Sequence, residues 1–239
     1  MSGALSSHNG HRIPSFDVIT AGSTANGSLI VGALGIRSGD LAVALGVAED
    51  NTTTPPSDTT PTGVTKHNTG TVVLASTAAR ASLYSRICDG TENSTTITGF
   101  VNQDGDRLWY AFLRPRNCTV ESVASLGMDF DFDASGTAPA TSSVSLSGLS
   151  ERFVIGWHGI FGRDTGGFDV TGATGFSCSP GVGSGNIFEQ NDSTPNTLAW
   201  AALSIWRSGF EPASLSAAIG DVMNDWCFTF AAALEIEIS

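Results

Sequence analysis

The chain has 239 residues, of which 41% are hydrophobic and 14% charged, and its formal net charge is −12. It can bury a sizeable core with fewer charged residues than the ~25% typical of soluble domains, and its acidity disfavours binding to nucleic acid or anionic lipid. Because the sequence has neither a basic and apolar leader nor an apolar run of ~20 residues, we expect a protein made in a cytoplasm and not inserted into a membrane.

Residues 1–14 predict an extended N-terminal arm, and residues 15–239 predict a single domain. His8 and His11 lie in this arm at a spacing that suits two metal ligands only on a helix. The Asn-Gly pair between them and the nearby Pro14 disfavour a helix. We therefore expect no metal site in the arm.

Large apolar side chains alternate with small or polar ones along most of the chain, which predicts β-strands. The stretch DLAVALGVA places Leu41, Val43, Leu45 and Val47 on one face. In the C-terminal stretch WCFTFAAALEIEIS, one face carries Trp226, Phe228, Phe230, Ala232, Leu234, Ile236 and Ile238. Further strands are predicted from the runs VVLAS, ASLYSRI, RLWYAFLR, SVSLS, RFVIGWHGIF and LAWAALSIW.

The segments between these runs predict turns, loops and one helix. Asp104-Gly105 predicts a β-hairpin, and residues 49–70 and 162–196 predict long, exposed polar loops. The stretch PASLSAAIGDVMND, opened by Pro212, predicts the one helix. Together these elements predict an all-β fold, an antiparallel β-sandwich with jelly-roll-like connectivity.

An acidic stretch, GMDFDFDASG, places Asp129, Asp131 and Asp133 at every second position. A calcium-binding loop of the EF-hand type needs glycine at its sixth position and glutamate at its twelfth, and counting from Asp129 both positions are alanine. We interpret the stretch as a strand whose aspartates face water and whose core side carries Met128, Phe130 and Phe132. Two alternatives stay open: a cation site completed by other loops, or an arginine-bearing neighbour.

Motifs for nucleophilic catalysis and for phosphate binding are incomplete. The stretch GFSCSPG around Ser177 lacks the last glycine of a nucleophile elbow. GSTANGS from Gly22 has Ser28 where a phosphate-binding loop needs lysine, and GVGSGN from Gly181 has Asn186 where a dinucleotide fingerprint needs glycine. We interpret both as glycine-rich turns.

The other chemically useful side chains lack an informative spacing. Neither His67 nor His158 has a second ligand at metal spacing. Trp109 and Trp200 are candidates for stacking on sugars, although we expect them in the core. An acid/base pair for sugar hydrolysis would need the fold to bring together two of Glu92, Asp106, Glu151 and Asp164. Free or buried thiols are expected at Cys88, Cys118, Cys178 and Cys227.

One region of the sequence resembles the β-sandwich proteins encoded in the structural-gene clusters of tailed bacteriophages. The similarity covers residues 39–116 and rests on a GDL strand, a Pro-Pro loop and a Y-x-R-x-x-DGTE segment. The matching residues are Gly39, Asp40, Leu41, Pro55, Pro56, Tyr84, Arg86, Asp89, Gly90, Thr91 and Glu92. The chain departs from the pattern at Gly63-Val64-Thr65, where a Gly-Trp-Thr usually follows.

This resemblance implies a structural virion component: a capsid decoration, head spike or fibre, or tail-tip subunit. The implied partners are other virion proteins and further copies of the chain, and the implied location is the virion. A carbohydrate-binding adhesion module that contacts a host surface glycan is the alternative, and a polysaccharide-degrading enzyme on the same fold is the third hypothesis. We expect no enzymatic activity, cofactor, catalytic residue or metal-binding residue.

Overall fold

A computed structural model describes residues 13–24, 29–30, 35–50, 52–74, 77–94, 96–97, 107–133, 140–146, 153–163, 177–181, 186–191, 197–207, 209–219 and 226–239. These residues form β-strands and one 3-10 helix, Glu92–Ser94. The strands are β1 Ser15–Thr24, β2 Leu29–Ile30, β3 Leu41–Asp50, β4 Thr65–Leu74, β5 Thr77–Ile87, β6 Thr96–Ile97, β7 Arg107–Arg116, β8 Val120–Asp133, β9 Ala140–Ser145, β10 Phe153–Arg163, β11 Ser177–Ser179, β12 Phe188–Asn191, β13 Thr197–Arg207, β14 Ser214–Ile219 and β15 Trp226–Ile238. No helix within these ranges is long and apolar enough to cross a membrane.

Two five-stranded sheets form the body of the protein, and their strands pair antiparallel. The N-sheet has the order β1-β7-β3-β5-β4, and the C-sheet has the order β12-β13-β10-β15-β8. The predicted antiparallel β-sandwich is confirmed. Jelly-roll connectivity is not confirmed, since each of these sheets takes its strands from one half of the chain.

The main core lies between these two sheets. The predicted inward residues of β3 are buried there, and so are Phe230, Leu234 and Ile236 of β15. Full burial of an aliphatic or phenyl side chain contributes about 1.5–3 kcal/mol. The period-two pattern therefore identified the sides of β3 and β15 that face the main core.

A third sheet, which we call the outer sheet, has the order β11-β14-β9 and covers the opposite face of the C-sheet. Leu215 of β14 packs there with Val154 of β10 and with Ala231 and Ala233 of β15. As a result β15 is buried on both faces along much of its length.

The predicted helix from Pro212 is wrong. Ser214–Ile219 is strand β14, whose Leu215, Ala217 and Ile219 are buried while the residues between them are half-buried. This period-two burial arises because the segment must cover the small-residue face of the C-sheet.

The predicted loops are partly wrong, because strands occupy some of their residues. Residues 49–70 include the first half of β4, in which a register shift between Lys66 and Asn68 interrupts the alternation. Residues 162–196 include β11 and β12. The predicted Asp104-Gly105 hairpin and residues 1–12 of the predicted arm lie outside the described residues.

Candidate functional site

Three carboxylates of the N-sheet and its loops are almost completely removed from water. The side chains of Asp40 and Asp58 are 3% exposed and that of Glu92 is fully buried. Each accepts an ion pair from an arginine, and we call the three together the buried-acid network. Two of its members, Asp40 and Glu92, are among the residues that carry the resemblance described above.

Asp40 lies at the start of β3 and fixes the turn that leads into that strand. Arg114 of β7 donates from Nε to Oδ1 at 2.9 Å and from Nη2 to Oδ2 at 2.7 Å. The main-chain N–H of Arg37 donates to the same Oδ2 at 2.8 Å. Gly39 between them has a φ of 88°, which glycine adopts without steric cost.

Glu92 lies in the 3-10 helix that follows β5. Arg86 donates from Nε to Oε1 at 2.8 Å, and the main-chain N–H groups of Asp89 and Gly90 donate at 3.2 and 2.9 Å. These contacts occupy both carboxylate oxygens inside the protein. Glu92 was a candidate for an acid/base pair, but its carboxylate instead stabilises the turn after β5. The other three candidates, Asp106, Glu151 and Asp164, lie outside the described residues.

Asp58 lies in the loop between β3 and β4 and binds side chains from both β4 and β5. It accepts an ion pair from Arg80, a second from Lys66 at 3.2 Å, and a hydrogen bond from Ser82 at 2.6 Å. Burial alone would raise the pKa of Asp58, but the Ser82 hydrogen bond and the charges of Arg80 and Lys66 outweigh it and lower the pKa below its usual 3.8. Asp58 is therefore ionised at neutral pH.

Sequence reasoning missed Asp58 because nothing in its own loop distinguishes it. The available signal was on β5, where Arg80, Ser82 and Tyr84 share one face of a strand. Three polar groups on a face that is otherwise covered require a polar partner. The chain's only lysine, Lys66, is held by the same carboxylate.

The chemistry available to the buried-acid network is electrostatic anchoring. A general acid or base must reach a substrate proton within hydrogen-bond distance, and all three carboxylates are engaged by donors from their own chain. Their arginines are also only 16–20% exposed. The network therefore ties loops to strands of the N-sheet.

The acidic stretch forms the end of β8, and its predicted alternation is confirmed where side chains are described. Met128 and Phe130 pack against the main core. Asp129 is exposed, and its Oδ2 accepts the main-chain N–H of Ser143 on β9 at 2.8 Å. The aspartate face is thus partly covered by the outer sheet as well as facing water. The side chains of Phe132 and Asp133 are outside the described part of the chain.

No family model, curated protein or solved structure matches this chain.

The described part of the chain contains no group of three or more histidine, cysteine, aspartate or glutamate side chains able to hold a metal ion. His67 shares a 2.7 Å hydrogen bond with Ser85, which is itself buried. Ser177 lies on β11, a strand of an antiparallel sheet rather than a strand-turn-helix elbow. Gly22 lies within β1 and not in a turn. His8 and His11 lie outside the described residues.

The two candidate tryptophans are core residues, as expected. Trp109 is fully buried in the main core, and Trp200 is 1% exposed beneath the outer sheet. All four cysteines are free thiols. Burial raises the pKa of Cys88 to about 12, so this thiol is un-ionised and unreactive at neutral pH.

His158 of β10 lies beneath the outer sheet and carries a buried nitrogen without a partner. Its Nε2 is 2.9 Å from the carbonyl oxygen of Pro180, which can only accept, so Nε2 carries the proton and Nδ1 does not. Nδ1 is buried and has no hydrogen-bond partner. Burial lowers the pKa of His158 to about 4, although the Pro180 carbonyl and Glu189 act in the opposite direction.

We expect His158 to make the protein acid-sensitive. Between the folded pKa of about 4 and the ordinary value of 6.5, His158 is protonated in the unfolded chain but not in the folded chain. The free energy of unfolding is therefore highest above pH 6.5 and falls by about 3 kcal/mol as the pH falls to 4. Urea unfolding from pH 4 to 7 measures it against His158→Gln, which keeps an N–H donor but does not titrate. Parallel pH profiles for the two proteins would contradict the assignment.

Proposed function

We propose that this protein is a structural subunit of a tailed-bacteriophage virion that acts through subunit-subunit assembly. It would decorate the capsid or form part of a head fibre or tail tip. The observation that carries the proposal is the buried-acid network. The residues that resemble phage structural proteins, among them Asp40, Arg86 and Glu92, converge on ion pairs whose effect is to fix loops.

A rigid surface supports an assembly role because binding then costs less ordering of loops and side chains. Asp40 and Glu92 hold the turns before β3 and after β5, and Asp58 holds the loop before β4. The edge strands of the two sheets also contact each other. Gln190 of β12 donates to Ser23 of β1 at 3.1 Å, and β4 packs beside β8. The described body therefore presents preformed faces to its neighbours.

The adhesion and polysaccharide-degrading hypotheses receive less support. Trp109 and Trp200 are buried and cannot stack on a sugar. Glu92, the one described member of the candidate acid/base set, is fully buried and paired with Arg86. Trp109, Trp200 and Glu92 thus have structural roles.

The proposal predicts that the protein is a stoichiometric component of purified particles. Quantitative mass spectrometry of phage particles, together with electron microscopy of particles labelled on this protein, should give a fixed copy number at one site on the head or tail. A particle lacking the gene should lose that density. If the protein is absent from washed wild-type particles, the proposal is wrong.

A further inference from the structure

A polar cleft of about 310 Å³ opens at the end of the N-sheet where the turn before β3 meets the end of β7 and the turn into β8. Its walls carry Arg37, Arg114 and Arg116, with Asp40 as the acidic lining residue. Three of the chain's 11 basic side chains therefore surround one cleft in a protein whose net charge is −12. We call it the arginine cleft.

The three arginines are not equally committed to partners in their own chain. Arg114 is fixed by Asp40 and by the carbonyl oxygen of Gly35, through Nε and Nη2. Arg116 donates to Asp17 at 2.6 Å in a pair in which both side chains are about half exposed. Arg37 is exposed, and within the described residues its guanidinium has no hydrogen-bond or ion-pair partner. Among the lining residues and their ion-pair partners, Arg114 and Arg116 thus face carboxylates, whereas Arg37 has no carboxylate partner within the described residues.

The chemistry of this cleft matches a carboxylate. A guanidinium group presents paired N–H donors that fit the two oxygens of a carboxylate. At about 310 Å³ the cleft is large enough to admit an acidic side chain and its immediate neighbours. Gly39 has no atom within 4 Å of where a Cβ would lie, so the turn leaves open space beside it.

The same chain presents a carboxylate at the opposite end of the sandwich. β8 begins next to the cleft, where Thr119 is a lining residue, and runs to the acidic stretch. Ten residues at ~3.3 Å each place Asp129 about 33 Å from Thr119. The Asp129 side chain is exposed, and its Oδ2 accepts the main-chain N–H of Ser143. The arginine cleft and Asp129 therefore lie at opposite ends of one strand.

We propose that the arginine cleft binds the Asp129 end of β8 of a second copy of this chain. A head-to-tail contact of this kind is heterologous, so it closes into a ring or continues as a filament. Repulsion between two acidic copies is screened beyond ~8 Å at physiological salt, whereas the direct Arg-carboxylate contact is much shorter. The inference rests on the proposed assembly role and adds the partner and the residues that meet.

Charge reversal tests the contact in solution with the full chain. We expect wild-type protein to self-associate in sedimentation velocity, and Arg37→Glu to raise the dissociation constant at least about tenfold, because like charges then face each other. Asp129→Arg should have the same effect. The matched control is Arg207→Glu, which makes the same charge change at an exposed arginine of β13 and should shift the constant less than about twofold.

Mixing the two charge-reversed variants is the decisive experiment. In an equimolar mixture of Arg37→Glu with Asp129→Arg, each cleft meets an end of opposite charge, and association should return. A wild-type chain that stays monomeric at about 100 µM, an equal effect of Arg207→Glu, or a mixture that remains dissociated would overturn this inference. Retention of Arg37→Glu in particles would leave the proposed function standing, whereas absence of the wild-type protein from particles would remove it.

Discussion

Replacing Asp58 with asparagine is expected to lower the free energy of unfolding by about 3 kcal/mol, at the lower end of the range for breaking a buried ion pair. Asparagine keeps the shape of the side chain but leaves Arg80 and Lys66 close together without a negative charge. These two cations are 20% and 29% exposed, so partial hydration relieves some of their repulsion. The Ser82 hydroxyl can still donate to the amide oxygen, and the loss is therefore chiefly one of charge.

Urea unfolding at pH 7 measures this loss, and Asp17→Asn is the matched control. Asp17 also pairs with an arginine, but both partners are about half exposed, and exposed pairs contribute at most about 1 kcal/mol. The folded pKa of Asp58 lies below 3.8, so its contribution is present above pH 3.8 and is lost as the pH falls through the folded value. Equal losses for the two variants, or a difference that persists in strong acid, would refute the role of Asp58.

The strands that the sequence predicts best are those whose large apolar residues lie on one face. In β3 and β15 the alternation of large with small residues reports directly on burial in the main core. β14 was missed because its buried residues include only two large ones, Leu215 and Ile219, among serines and alanines. Such a composition is compatible with a helix, and burial beneath the C-sheet decides the outcome.

The Asp40 and Asp58 parts of the buried-acid network could not be predicted because their side-chain contacts join distant positions. Asp58 is separated by 22 residues from Arg80 and by 24 from Ser82, and Asp40 by 74 from Arg114. Their proximity depends on the order of strands in the N-sheet, which periodicity does not specify. Residue type gave a partial signal, because polar residues recur on one face of β5.

The outer sheet was also not predicted, although its cause is visible in the C-sheet. Alanines recur along β13 and β15, and those facing outward, including Ala202, Ala231 and Ala233, are buried under the third layer. Small side chains leave room for a neighbouring sheet to approach closely. An alternation rule that assigns one face to core and one to water therefore fails where a strand is covered twice.

Gly159 occupies a tightly packed position of the C-sheet, and Gly159→Ala is expected to lower the free energy of unfolding by at least about 3 kcal/mol. Gly159 lies in the central strand β10, opposite Ala201 of β13 and Phe230 of β15. A Cβ at this position would overlap the carbonyl oxygen of Trp200 and lie 2.7 Å from the ring of Phe230. Main-chain atoms of a paired strand cannot move aside without breaking the ladder.

Gly70→Ala is the control, since its added Cβ would meet the side chains of Met128 and Phe130 at 3.2 Å. Those contacts need shifts of only a few tenths of an ångström, and Gly70 lies on the edge strand β4, so we expect a loss below about 1 kcal/mol. Denaturant unfolding, with the soluble yield as a second readout, compares the two. If Gly159→Ala were as stable as Gly70→Ala, β10 and β13 could not lie as close together as their pairing requires, and the double coverage of the C-sheet would have to be reconsidered.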